Sequence, residues 1–342
     1  MSSTESPDTA TAALPVPPAG AGRRGGAETV RTVTLPGLTL ALRAPDGPPA
    51  GPAAPGAADG AAARAREPAL YVHGLGGSSQ NWSDLMPLLA DRLDGEAVDL
   101  PGFGLSPPPD DGNYSVSAQA RALIRHLDAA GRGPVHLLGN SMGGAAATRV
   151  AAVRPDLVRT LTLISPALPE LRPQRTAVPT ALLAVPGIAR LFGRLTHDWT
   201  PERRTREVLA LCYGAPGRVS PEGFNSAADE YARRLELPYF WEVMERSARG
   251  LVNAYTLGGQ HNLWRQAERV LAPTLLVYGG RDRLVSFRMA RRAAAAFRGA
   301  RMLTLPEAGH VAMMEYPEAV ARAVRELLDS EETDATADAG RS

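Results

Sequence analysis

The stretch "HLLGNSMGGAAATRV", residues 136–150, runs from an apolar segment through a serine flanked by glycines into an alanine-rich, helix-prone segment. Gly139, Ser141 and Gly143 form a G-x-S-x-G pattern at the junction. A serine on a sharp strand-to-helix turn adopts a strained backbone, so the residues two before and two after it must be small to clear the neighbouring strand and helix. Such a turn also sets the hydroxyl at a helix N-terminus, where free N–H groups and the helix dipole favour developing negative charge. Two readings stand at this point: Ser141 is a nucleophile held on the turn, or a small residue in a Gly-rich connection that lets the chain bend.

Working outward, strand-like runs alternate with helical patterns from residue 68 onward. "ALYVHG", "SQNWSDLMPLLADRL", "GEAVDLPG", "SVSAQARALIRHLDAAG", "PVHLLGN" and "VRTLTLISP" make one block; "PTLLVYGG", "SFRMARRAAAAFRG", "ARMLTLPEAG" and "PEAVARAVRELLDS" make a second. This alternation predicts an α/β protein with a mostly parallel sheet covered by helices on both faces. The sequence divides into a tail over 1–28, a first core part over 29–166, a mostly helical insertion over 167–271, a second core part over 272–330 and a tail over 331–342. The tails, and a loop over 44–67 that follows an N-terminal hairpin, are rich in Ala, Gly, Pro and small polar residues and poor in large apolar side chains, a composition that predicts disorder.

Composition removes several kinds of chemistry. All 37 basic residues are arginine, so a Schiff-base lysine, a phosphate-loop lysine and a Ser-Lys dyad are excluded. Cys212 is the single cysteine, which rules out an internal disulfide and a thiolate metal centre and favours a cytoplasmic setting. The net charge of +1, with both signs interspersed, gives no long-range field to draw in nucleic acid or an anionic membrane, so partners of both kinds are disfavoured. No run of about 18 apolar residues predicts a membrane span. The expected partner is a small-molecule substrate, with neither metal nor organic cofactor required; the oligomeric state is left open.

Three further features supply what a nucleophilic Ser141 would need. "YVHGLGGSSQNW", residues 71–82, ends a strand with a glycine loop, where the N–H of Leu75 can join that of Met142 in stabilising an oxyanion and Gly74 and Gly76 allow close approach of substrate. Asp282 in "LLVYGGRDRLVS" and His310 in "LPEAGHVAMMEYPEAV" each follow a strand-like run. A serine needs a base, and the base an acid that fixes its tautomer. Taken singly, Asp282 reads as a turn residue and His310 as a helix-start residue; together with Ser141 they fall in one order, each at a strand's carboxyl end, where open α/β sheets place their active sites.

From about residue 30 to 330 the sequence resembles the α/β-hydrolase superfamily, in the elbow at Ser141, the Asp282 and His310 segments and the turn "DLPGFGLS" at 99–106. The resemblance implies an eight-stranded, mostly parallel sheet with a helical cap inserted after the sixth strand, Ser141 as nucleophile, His310 as base, Asp282 as acid, and Leu75 and Met142 as the oxyanion hole. It implies an esterase acting on a small to medium apolar substrate through an acyl-enzyme, with carbon-carbon bond hydrolysis of ring-fission products, acyl transfer or perhydrolysis as alternatives, and a non-catalytic binding protein on the same fold as a third class. Ser165 and Glu170, after the strand before the insertion, compete with Asp282 as the acid. Within the insertion, the apolar "TAVPTALLAVPGIARLF" at 176–192 reads as a face packed on the sheet rather than the lip of an acyl pocket. Trp199, Tyr239, Phe240, Trp241 and Trp264 read as core, and Arg203, Arg204 and Arg206 as a solvated helix face.

Overall fold

A computed structural model describes residues 28–45, 65–170, 172–256 and 258–339. The chain opens with β1 (Glu28–Leu35) and β2 (Leu38–Pro45), then β3 (Glu67–Val72), β4 (Leu93–Val98), α1 (Val116–Ala130), β5 (Val135–Asn140), α2 (Met142–Val153) and β6 (Val158–Ile164). After β6 come α3 (Val178–Leu182), α4 (Ile188–Leu195), α5 (Pro201–Cys212), α6 (Pro221–Leu235), α7 (Phe240–Thr256) and α8 (Leu263–Ala267). The chain closes with β7 (Thr274–Gly279), α9 (Met289–Ala296), β8 (Arg301–Leu305), α10 (Ala312–Glu315) and α11 (Pro317–Ala339).

The eight strands form one sheet in the order β1-β2-β4-β3-β5-β6-β7-β8. β2 runs antiparallel to β1 and β4, and every pairing from β4 to β8 is parallel. All six residues of β5 and all six of β7 are buried, as a sheet covered on both faces requires. Alternate residues feed opposite faces: Leu137, Leu276 and Tyr278 pack with helices α1, α2, α8 and α9, whereas Leu138, Leu275 and Val277 pack with α11.

Helix ends follow local chemistry. Ser115 caps α1 by accepting the Ala118 N–H at 3.2 Å, and Gly131, at φ 59°, ends it in a left-handed turn. Thr200 and Ser220 cap α5 and α6 in the same way, each followed by a proline in the first turn.

Several sequence expectations differ from this structure. "SQNWSDLMPLLADRL" forms two short 3-10 turns, Ser79–Trp82 and Met86–Leu89, instead of an α-helix. The Asn81 side chain takes the Ser78 N–H at 3.1 Å, and Pro87 has no N–H to give, so a continuous ladder does not form. Residues 263–267, counted with the insertion, form α8, whose Leu263, Trp264 and Ala267 join the core beneath α2. α11 continues to Ala339 through residues read as a tail, because a docked helix propagates into a stretch containing helix-favouring Ala and Glu. The expected N-terminal tail lies outside the described residues apart from Glu28. So does the expected loop over 44–67, apart from its ends at 44–45 and 65–67.

The order of the strands sets the site. β4 lies on one side of β3 and β5 on the other, so the chain reverses its progress across the sheet between β3 and β5. Ligands of open α/β sheets bind outside the strand carboxyl ends at such a reversal. The loop after β3 and the turn after β5 both emerge there.

Candidate active site

Ser141 stands between β5 and α2 with φ 53° and ψ −117°, a backbone conformation that costs about 1–3 kcal/mol in a non-glycine residue. Its N–H donates to the Ile164 carbonyl at 3.1 Å, and its carbonyl accepts from Ala145 and Ala167 at 3.0 and 2.9 Å. The glycines meet steric needs on three sides. A Cβ on Gly139 would lie 2.7 Å from the Gly143 carbonyl oxygen, and one on Gly143 would overlap the carbonyl oxygens of Val72 and His73. A Cβ on Gly74 would lie 3.0 Å from the Ser141 Cβ, so the loop after β3 touches the serine.

That loop is braced from below. The His73 imidazole is fully buried; its Nδ1 donates to the Gly74 carbonyl at 2.7 Å and its Nε2 accepts the Leu100 N–H at 3.0 Å. Burial lowers the His73 pKa to about 4, Asp99 opposing the shift, so this ring is neutral and serves as a strut. Asp99 accepts the N–H of Ser79 at 2.6 Å and of Leu105 at 2.8 Å, so "DLPGFGLS" is a structural turn tied to the far end of the same loop. Among the described residues, neither the Leu75 nor the Met142 N–H donates to a backbone carbonyl. Both belong to segments that border Ser141.

Asp282, three residues past β7, and His310, five past β8, meet in a buried pair, with Asp282 Oδ2 2.9 Å from His310 Nδ1. The second carboxylate oxygen accepts the N–H groups of Leu284 and Val285 at 2.8 and 3.0 Å. Burial alone would raise the Asp282 pKa; the His310 imidazole and these N–H groups outweigh it and hold the carboxyl below its usual range. Glu170 reaches Ser286 at 3.4 Å and Ser165 donates its N–H to Val277, so neither competitor holds the histidine.

Residues not singled out by motif hold the His310 backbone near the elbow. The Asn140 amide, next to Ser141, donates to the His310 carbonyl at 3.0 Å. The His310 N–H donates to the Cys212 carbonyl at 2.6 Å, and Glu315 gathers the N–H groups of Gly309, Gly214 and Ala215. Asn140 was within reach of sequence reasoning through its place in the elbow; Cys212 acts through its backbone carbonyl, and the Glu315 carboxylate binds backbone N–H groups, so its partners carry no residue signature.

Ser141, His310 and Gly74 to Ser78 line one cavity of about 1,410 Å³ whose roof is the helical insertion. The "TAVPTALLAVPGIARLF" segment borders this cavity with Val178, Leu182, Leu183, Ile188 and Phe192, and thus forms its lip instead of packing on the sheet. Trp199, Phe240 and Trp241 line it as well, whereas Trp264 is core and donates to the Pro169 carbonyl at 2.9 Å. Arg203 and Arg206 lie over the rings of Trp199 and Phe224. Arg204 departs from the solvated face: it is buried, borders the cavity, and spends Nη2 on the Thr196 carbonyl. The short turn between α4 and α5 brings the Thr196 and Trp199 carbonyls to the Arg204 guanidinium, which the charge pattern alone did not foretell.

A serine hydroxyl on a strained elbow, a buried Asp282–His310 pair whose imidazole borders the same cavity, and two N–H donors on bordering segments make acyl transfer chemically available. The family model for the alpha/beta hydrolase family matches residues 69–323, three quarters of the chain and every segment just described. This chain belongs to the alpha/beta hydrolase family. Among its relatives, the chain is 27% identical over 265 residues to a pimeloyl-[acyl-carrier protein] methyl ester esterase of Neisseria meningitidis, covering 75% of this chain and 91% of that protein. It is 26% identical over 269 residues to a 2-hydroxy-6-oxo-6-(2'-aminophenyl)hexa-2,4-dienoic acid hydrolase of Metapseudomonas resinovorans, covering 77% and 84%. The solved structure of 2-hydroxy-6-oxo-6-phenylhexa-2,4-dienoate hydrolase from a Rhodococcus species shares the fold at a TM-score of 0.66 and 17% identity, over 88% of this hydrolase and all of that chain. Among the described residues no helix of the hydrolase is long and apolar enough to cross a membrane.

Proposed function

We propose that this hydrolase cleaves carboxylic esters with an apolar acyl group through an acyl-enzyme on Ser141. The observation that carries the reading is the His310 imidazole, paired with the buried Asp282, lining one cavity with the strained Ser141. Ser141 Oγ attacks the ester carbonyl while His310 Nε2 takes its proton, and the N–H groups of Leu75 and Met142 receive the negative charge that forms on the carbonyl oxygen. Asp282 holds Nδ1–H toward itself, so Nε2 is the free, basic nitrogen, and it stabilises the imidazolium. The proton then passes to the leaving alkoxide, the alcohol departs, and a water deprotonated by His310 releases the acid. The helical insertion acts as a cap that excludes bulk water and selects the acyl group.

Ser141→Ala is expected to retain the fold and to lower turnover of p-nitrophenyl esters by a factor on the order of 10⁴ or more. A fluorophosphonate is expected to label the wild-type chain at Ser141 and not the variant. Full activity in Ser141→Ala would refute the assignment. A relative is named a hydrolase of a 2-hydroxy-6-oxo-hexa-2,4-dienoic acid, and a product analysis with such acids beside esters separates carbon-carbon hydrolysis from ester cleavage.

A further inference from the structure

The balanced charge of the whole chain conceals a local asymmetry. Residues 172–197 contain Arg172, Arg175, Arg190 and Arg194 and not one Asp or Glu. The same segment leaves Val178, Leu182, Val185, Leu191 and Leu195 exposed, Leu195 to 70%.

These residues are ordered by helix geometry. At 100° per residue, Ile188, Leu191, Phe192 and Leu195 of α4 fall on one stripe, with Arg190 and Arg194 beside it. An apolar stripe of this kind normally faces a core, yet Ala189 is the one buried residue of α4. Ile188 and Phe192 border the cavity, whereas Leu191 and Leu195 lie outside it, so the stripe runs from the cavity lip to the outer surface. On α3, Val178 and Leu182, one turn apart, are both exposed and cavity-lining. The carboxylates behind α4 are engaged: Glu242 pairs with Arg190 and Arg246, and Glu245 with Arg249 while accepting the Gly187 N–H.

We propose that α3 and α4 dock on an anionic phospholipid bilayer, with Leu191 and Leu195 among the acyl chains and Arg190 and Arg194 at headgroup level. Charge complementarity selects this occupant: a short amphipathic helix with two arginines on one side of its apolar stripe, in a segment with four arginines and no acidic residue, matches a negatively charged lipid surface in both sign and polarity. The cavity lip then opens at the bilayer, and an acyl ester reaches Ser141 along the α4 stripe without crossing water. That last consequence rests on the ester-hydrolase reading; the docking itself does not.

The test uses the full chain and vesicles of phosphatidylcholine with or without phosphatidylglycerol. Wild type is expected to co-sediment with the anionic vesicles and to be released as salt shortens the Debye length. Leu191→Asp with Leu195→Asp is expected to weaken partitioning by a factor on the order of ten or more while leaving turnover of a soluble short ester unchanged, since neither residue borders the cavity. Arg190→Gln with Arg194→Gln is expected to erase the preference for phosphatidylglycerol. Equal partitioning into neutral and anionic vesicles by wild type, no partitioning, or an unaffected leucine variant would overturn the proposal. So would a lipid-free dimer that Leu195→Asp dissociates, which assigns the face to a second copy. Ser141→Ala is expected to bind vesicles like wild type; a failure of ester turnover with vesicle binding intact would strike the ester reading alone.

Discussion

At Gly143 a single methyl group decides whether α2 can approach β3. Its Cβ would overlap two backbone carbonyl oxygens, which cannot rotate away as a side chain would. Gly143→Ala is therefore expected to cost about 1–3 kcal/mol of stability, measured by urea unfolding, and to reduce activity by displacing the elbow. Asp282 makes a different kind of test. Asp282→Asn keeps the size of the side chain but lets the amide offer a donor to Nδ1, which reverses the tautomer that leaves Nε2 basic. A loss of about 10⁴-fold in kcat with an unchanged circular dichroism spectrum is the expected outcome; a loss below tenfold would remove Asp282 from the mechanism. The places of these residues at the elbow and beside His310 were legible in the sequence because sterics and charge leave few residue types that serve. Arg204 was not, since the spacing of charges along a helix does not tell which side the chain folds over.

At the scale of elements, the loop after β3 is held at both ends and from above. His73 is the strut beneath it, and its depressed pKa makes the strut sensitive to acid. The unfolded imidazole takes a proton near pH 6.5 and the buried one near 4, so the unfolded state binds more protons between these values. The stabilisation is present above pH 6.5 and is lost as pH falls toward 4, by up to about 3 kcal/mol. Unfolding free energies measured across this window should fall with acidification, and His73→Asn should flatten the slope. From above, Arg234 on α6 donates to the Gly76 carbonyl at 2.5 Å and to the Ser78 hydroxyl at 3.1 Å, its guanidinium held by Glu230 at 2.9 Å. Arg233 shares Glu230 and reaches the Gly104 carbonyl at 2.9 Å. This clasp joins the insertion to the backbone that carries the Leu75 N–H. Arg234→Gln is expected to lower kcat by about ten- to a hundredfold with little change in KM, and Arg234→Lys to recover part of the loss. Affinity for a trifluoromethyl ketone analogue should fall in parallel with kcat/KM, which a merely structural loss would not produce. In the sequence, "DEYARRL" reads only as an i, i+4 surface pairing.

For the whole molecule, the cavity is the feature with the widest consequence. Its volume of about 1,410 Å³ exceeds the roughly 300–1,000 Å³ of common small-molecule pockets, and its lip and walls are largely apolar. Long or bulky acyl esters should therefore be turned over with higher kcat/KM than acetate. Val252→Trp, which fills the cavity near α7 without touching Ser141, should erase that preference and spare the acetate ester. A chain-length series of p-nitrophenyl esters measures both.

The sequence by itself determined the sheet, the elbow and the order Ser141, Asp282, His310, because these follow from local rules. A buried parallel strand is mostly apolar, a turn at positive φ between packed elements must be bordered by glycine, and a strand end is marked by where its apolar run stops. Only the tertiary structure decided how the insertion lies over the site. It showed the 176–192 segment as a lip instead of a packed face, buried Arg204, tied Arg234 to the glycine loop, assigned α8 to the core and joined Asn140, Cys212 and Glu315 to the histidine. Those contacts link residues distant in sequence, several through backbone carbonyls and N–H groups that every residue possesses. Periodicity carries no trace of such partners until the sheet order has brought β3, β5, β7 and β8 to one edge.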